Sequence, residues 1–219
     1  MTDVIVQSGD NNEYVTTVQT RLEELGYSVG GVDGDYGRKT TEAVQAFQAA
    51  YGLTISGSVD GDTWAAMFTS SANDPGAVDT SAGPTADALV DVALHQVNDR
   101  YVLGTDADEN NPNEDEFDCA ELISWSLAQL GVSFPDYSVS QIDAVAAAGL
   151  ELTVSAAASV RGALLFRAAG HNDSKYNHVA LSLGTGDDTI EAMGTAYGVC
   201  VGTVGHRFTR GGYIPGVIY

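Results

Sequence analysis

The sequence predicts an α+β protein in two parts, a small three-helix N-terminal domain and a larger domain whose helices precede an antiparallel sheet. Three observations carry this prediction. Apolar residues recur at helical spacing up to about residue 150, and from residue 161 they fall into short β-runs separated by Gly, Asn and Asp. A small, polar, turn-rich stretch divides the chain at 70–84. Helices followed by strands, and not alternating with them, are the order in which a sheet packs on helices as an α+β fold. The boundaries are therefore a first domain at 1–69, a linker at 70–84 and a second domain at 85–219. Each part of the 219 residues is long enough for its own core.

In the first domain, Val15, Val18, Leu22 and Leu25 form a helical stripe stopped by Gly26. Ala43, Val44, Phe47 and Tyr51 form a second, entered through Thr40 and stopped by Gly52. A third short helix starts near Asp60 and carries Trp64 and Met67. Gly31-Val32-Asp33-Gly34-Asp35 is echoed by Gly57-Ser58-Val59-Asp60-Gly61-Asp62, each a tight turn leading into a helix, so the domain reads as a pseudo-repeat. Calcium at these turns is disfavoured, because the spacing lacks a full set of oxygen ligands. Tyr27, Tyr36 and Trp64 read as core or rim aromatics. The series Leu22 to Tyr27, Val32 to Gly37, Thr40, Ala43-Val44, Phe47-Gln48, Gly52-Leu53, Gly57 and Thr63-Trp64 resembles the three-helix peptidoglycan-binding domain. That resemblance implies a non-catalytic module that grips the bacterial wall.

The second domain opens with a helix capped by Thr85 and carrying Val90, Ala93, Leu94 and Val97 on its apolar side. Residues 106–118 then hold seven acids and no base. The run opens like a calcium loop, but it has no glycine at the sixth position and Pro112 interrupts it, so it is read as a solvated loop and no metal is assigned.

Asp118 and Cys119 follow, where Ala120, Ile123, Leu127 and Leu130 begin a helix that Gly131 stops. Asp118 has the chemistry of an N-cap, which puts Cys119 at the first helical position. Helix-start N–H groups and the helix dipole there favour a thiolate and offer donors to an oxyanion. Taken alone, Cys119 is equally a buried small hydrophobe. A further helix runs from Ser140 to Gly149.

The β-runs are Ala163–Phe166, His178–Leu183, Thr189–Met193, Val199–Val204 and Tyr213–Ile218. His178 starts its strand on the less apolar face, with Ala180 and Ser182, where it can meet the cysteine helix. A thiol of ordinary pKa needs a neighbouring imidazole to take its proton. His95, His171 and His206 compete for that role, and spacing alone does not choose among the four. Glu191 has the right polarity for the third group that fixes the imidazole. Its register is awkward, however, since a turn at 184–188 would set residue 194 or 195 opposite His178. Cys200 reads as a buried strand thiol independent of Cys119.

Tyr101-Val102-Leu103-Gly104, Phe117-Asp118-Cys119, Leu122-Ile123, Gly131-Val132, Gly162 to Phe166 and His178 to Gly184 look like the NlpC-type papain-like cysteine peptidases. The resemblance spans 85–219 and implies a papain-like α+β domain with Cys119 as nucleophile, His178 as base and Glu191 as third residue. It also implies that Tyr101, Asp118 and Glu121 lie on the substrate side, and that no cofactor is needed. Two departures stand out: Ala120-Glu121 replaces the usual Ser-Gly, and Glu191 replaces the commoner histidine.

Together the two resemblances imply an endolysin-like peptidoglycan hydrolase cutting a stem-peptide amide. The first choice is the D-glutamyl–diamino acid bond. The alternatives are the muramoyl–L-alanine bond, or a wall-binding protein without turnover.

Thirty acids against 9 Lys plus Arg argue against nucleic acid and anionic membranes as partners. The excess is spread over the chain, with 10 acids and 3 bases in 1–70 and 20 acids and 6 bases in 71–219, which suggests a surface suited to a salty medium. A monomer is expected. The opening residues have no basic or apolar signal-like run, so the expected route to the wall is signal-independent, as for a phage-type lysin released or delivered from the cytoplasm.

Overall fold

A computed structural model describes residues 4–69, 84–168 and 177–219. His171, and all of the expected linker except Pro84, lie outside the described residues. The chain divides into two compact units, one of residues 1–78 with Leu94–Asn98 and one of Asp79–Ala93 with Asp99–Tyr219.

In the first unit a short antiparallel ribbon pairs β1 (Val4–Val6) with β2 (Val59–Asp60). Helix α1 (Glu13–Glu24) is capped by Asn12, whose side chain accepts from Tyr14 N and Val15 N. The predicted stripe faces inward: Val15, Val18 and Leu22 meet Ala43, Val44 and Phe47 of α2 (Arg38–Ala50) in the core, and Met67 of α3 (Gly61–Thr69) is fully buried. Gly26 and Gly52 adopt the left-handed φ that ends a helix, +84° and +64°. Helix α2 begins two residues before Thr40, with Gly37 as its cap.

Thr40 is instead a buried partner of α1, and the pseudo-repeat is built on such partners. Gln19 Oε1 accepts from Asp33 N and Gly34 N, while its Nε2 donates to Asp33 Oδ1, Asp35 O and Thr40 Oγ1. One helix later, Gln48 Oε1 accepts from Gly57 N, and its Nε2 donates to Ser56 Oγ, Ser58 O and Thr63 Oγ1. Each buried amide ties an Asp-Gly or Gly-Ser turn to the threonine of the next helix. Asp33 is committed to Gln19 and to Asp35 N, which holds its carboxyl below the usual range.

The second unit begins with α4 (Ala86–Leu94), capped by the Thr85 hydroxyl on Ala88 N. A parallel pair, β3 (Arg100–Tyr101) and β4 (Glu116–Phe117), brackets the acidic loop. Helices α5 (Glu121–Gln129) and α6 (Ser138–Ala147) follow, then edge strand β5 (Glu151–Leu152) and the short helix α7 (Val154–Ala158). The remaining strands are β6 (Leu164–Arg167), β7 (His178–Ser182), β8 (Asp188–Gly194), β9 (Gly198–Thr203) and β10 (Arg210–Gly212). They form an antiparallel sheet in the order β5-β10-β6-β7-β8-β9.

The last strand differs from expectation. Arg210–Gly212 pairs between β5 and β6, and Tyr213–Ile218 is not a strand. Close approach is the reason. A Cβ at Gly211 would collide with the Ala157 side chain, and one at Gly212 with Val145, so the strand passes beneath α7 and α6 only as glycine. Such a strand leaves no β-branched signature in the sequence. Both faces of β7 are buried, because Ala180 packs with Ala157, Ala158, Val204 and Phe208, and Val179 and Leu181 are fully enclosed.

Candidate active site

The cysteine turn comes first. Asp118 Oδ1 accepts from Ala120 N at 2.9 Å and Glu121 N at 3.1 Å, and Leu122 N bonds to Asp118 O. This is the predicted cap, although regular helix begins at Glu121, two residues later than the sequence suggests. Asp118 Oδ2 accepts from Gly104 N, which fixes the carboxylate between the helix start and the β3 turn. Gln141 of α6 donates from Nε2 to Ala120 O and Pro135 O, holding the same turn from the other side.

Cys119 is buried, and the N–H groups of Val179, Cys119 and Ala120 are directed at its sulfur. Val179 adjoins His178, so the start of β7 stands beside the thiol. Against the thiolate favoured by the helix start, burial first and the Asp118 charge second push the thiol up to about 11, opposed by the pull of those N–H groups. Tyr101 also lies close. Its phenol is half-buried and pushed up to about 12 by burial and by the neighbouring Cys119 and Asp118.

The awkward register of Glu191 resolves on the sheet. Leu181 faces Ile190 and Ser182 faces Thr189, and continuing that pairing sets Glu191 across from Ala180, diagonal to His178. The small alanine leaves room for the glutamate to lean along the strand. His178 Nε2 and Glu191 Oε2 are 2.6 Å apart, with both side chains nearly or fully buried. Gly202 on β9 completes the space, because a Cβ there would overlap Glu191 Oε1.

Glu191 is therefore a buried acid and not an exposed strand residue. Burial alone would raise its carboxyl, but hydrogen bonds from His178, Arg207 and Thr189, with the electrostatic pull of His178, hold it down at about 2. The residue that sequence reasoning misses is Arg207. It grips Glu191 at both oxygens, Nη1 to Oε2 at 3.0 Å and Nη2 to Oε1 at 2.7 Å. Thr189 Oγ1 also donates to Oε1, at 2.6 Å. Phe208 lies nearly parallel to the His178 ring at 6.2 Å.

Other candidates fall elsewhere. His95 stacks on Tyr27 in the first unit, and His206 is exposed. Cys200 is buried on β9 opposite Glu191 and is not joined to Cys119 by a disulfide. Glu121, which the resemblance puts on the substrate side, is tied into the protein's own backbone. It is buried, and its carboxylate accepts from Ala107 N at 3.1 Å, because the first turn of α5 points it under the acidic loop. Burial, with the charges of Asp118, Asp136 and Asp106, pushes its carboxyl up to about 7 despite that bond. The loop is further tied by Trp125 Nε1 on Asn111 O and Gln129 Nε2 on Glu109 O. Among the described residues, no three His, Cys, Asp or Glu side chains converge where a metal ion would be held.

Comparison with known proteins gives two family matches. Residues 11–67 match a putative peptidoglycan-binding domain, and residues 98–211 match the NlpC/P60 family. A stretch of 54 residues is 37% identical to the N-acetylmuramoyl-L-alanine amidase CwlM of Mycobacterium tuberculosis, covering 25% of this chain and 13% of that protein. The P60 domain of the M. avium subspecies paratuberculosis antigen MAP1204 is 26% identical over 59% of this chain and 93% of its own, with a TM-score of 0.48. The peptidoglycan hydrolase RipB of M. tuberculosis is 21% identical over 92% of this chain and 85% of its own, with a TM-score of 0.46.

Proposed function

Because the chain belongs to the NlpC/P60 family and carries a peptidoglycan-binding domain ahead of it, we propose that it is a peptidoglycan hydrolase cutting a stem-peptide amide through Cys119, His178 and Glu191. The observation that carries this reading is the buried His178–Glu191 pair at 2.6 Å, at the strand start whose Val179 N–H faces the Cys119 sulfur.

Glu191 is ionised, so Nε2–H donates to it and Nδ1 bears the lone pair that serves the thiol. With the thiol held near 11, the proton passes to His178 as the sulfur attacks the carbonyl. The helix-start N–H of Cys119 meets the developing oxyanion. The imidazolium then protonates the leaving amine, and water hydrolyses the thioester with His178 again as base. Tyr101 and Asp118 line the approach, Asp118 holding the amino end of the stem with lone pairs its backbone bonds leave over.

The favoured bond is D-glutamyl–diamino acid, by family resemblance. Mass spectrometry of muropeptides after digestion of purified peptidoglycan checks it, since new diamino-acid amines support that bond and released L-alanine termini would reassign the enzyme as an amidase. Cys119→Ala must abolish product formation. Lysis that survives this substitution would remove Cys119 from the mechanism.

A further inference from the structure

Glu191 has two nitrogen-donor side chains on its carboxylate, His178 and Arg207, where orienting the imidazole needs only the first contact. His178 takes Oε2 from one side and Arg207 takes both oxygens from the other. The guanidinium is itself fixed. Its Nε donates to Thr203 O at 3.0 Å, its Nη2 reaches the same carbonyl, and its plane lies over the Phe208 ring with Cζ 5.0 Å from the centroid. Phe208 in turn stacks against His178. Arg207, Phe208 and His178 thus form a layered stack whose two ends both bond Glu191. The carboxylate is fully enclosed while the Arg207 side chain is about a third exposed, so the neutralising charge enters from the solvent side.

A lone buried carboxylate beside an imidazole would bind the imidazolium so strongly that the ring would resist giving up its proton. A carboxylate already paired to a guanidinium can orient the ring without that cost. We propose that Arg207 is a positioning residue of the catalytic assembly: it fixes the Glu191 carboxylate toward His178 and balances its charge, so that the imidazole is oriented yet remains free to act as a base. This rests on the hydrolase reading above. Other charged or titratable groups face the pair. Cys200 stands opposite Glu191 on β9, Arg167 is the cross-strand neighbour of His178 on β6, and Cys119 lies at the α5 start with Asp118 and Tyr101 beside it.

The test is an NMR titration of the His178 imidazole in the full chain carrying Cys119→Ala, with and without Arg207→Met. The expected result is a midpoint about one pH unit higher without the guanidinium. With Cys119 intact, kcat/KM falls about tenfold, and the limb of its pH profile that reports the imidazole moves with the NMR midpoint. On a Glu191→Gln background, Arg207→Met moves the midpoint less than half as far, because its target is gone. Superimposable titrations, or an undiminished effect on the Glu191→Gln background, would overturn the assignment. If Arg207→Met does not fold, Arg207→Lys serves: it keeps the charge and loses the two-toothed grip, so it must restore part of the midpoint, and a midpoint identical to wild type with full kcat/KM would again overturn it. The titration needs no substrate, so a wild-type protein that leaves peptidoglycan intact defeats the hydrolase reading while the Arg207 test still stands.

Discussion

At the scale of the residue, burial reverses what local sequence suggests about two acids and leaves a third as the cap it reads as. Glu191 has strand polarity and Glu121 follows the cysteine, so both look solvated or substrate-facing in sequence, while the half-buried Asp118 begins a helix. Folding commits each to named donors: Glu191 to His178, Arg207 and Thr189, Asp118 to Gly104 N, Ala120 N and Glu121 N, and Glu121 to Ala107 N. Glu121 makes this testable. Its folded carboxyl is pushed up to about 7 from 4.5, so the folded state holds a proton that the unfolded chain releases. The associated stability is fully present below pH 4.5 and is lost as pH rises through about 7. Glu121→Gln keeps an acceptor for Ala107 N and removes the titration. Its urea midpoint should therefore gain on wild type between pH 5 and pH 8, and equal differences at both pH values would refute the burial account. Cys119, His178 and Glu191 could be named together only through the family resemblance, since spacing does not choose among the four histidines and Cys119 taken alone reads equally as a buried hydrophobe. Arg207 was not legible, since an arginine in a turn among 30 acids reads as a solvated surface charge.

At the scale of the element, the longer helices were readable, while the short α7 and the glycine-dependent strand β10 were not. Alternation located β6 to β9 within a residue or two, but β10 follows two glycines whose meaning lies in neighbours far along the chain. Gly202 belongs to the same class. It has an ordinary φ, so its value is space alone, and Gly202→Ala should push Glu191 off His178. We expect kcat/KM to drop at least tenfold with a Tm loss of a few degrees, and His178 NMR shifts altered as in Glu191→Gln. An alanine variant with full turnover would mean the strands spread to admit it. In the first unit the equivalent lesson is polar: Gln48 is fully buried, and Gln48→Ala orphans Gly57 N and Thr63 Oγ1 together. Thermal unfolding of that variant should show a loss of about 2–3 kcal/mol. The sequence marks the Asp-Gly and Gly-Ser turns plainly, yet nothing in helical periodicity says that a glutamine inside the stripe is what closes them.

At the scale of the whole molecule, charge decides more than any single contact. The net charge is −21, and ion pairs among the described residues include exposed ones, as at Arg21–Glu24 and Arg100–Glu116. Salt weakens each of those pairs by at most about 1 kcal/mol. It also screens repulsion among 30 acids, which acts over the full surface because the Debye length at 0.1 M is about 10 Å and only about 3 Å at 1 M. Repulsion outnumbers attraction by more than three acids to each base, so screening should win. Raising NaCl from 0.1 to 1 M should then lift Tm by several degrees, where a charge-balanced protein of this size would move little. The same reasoning governs contact with the wall. An anionic wall polymer repels this surface at low salt, so co-sedimentation with purified peptidoglycan should strengthen as NaCl rises, until screening is complete. Binding that instead weakens steadily with salt would place local cationic contacts, of which the chain has few, ahead of the overall field in bringing the chain to peptidoglycan.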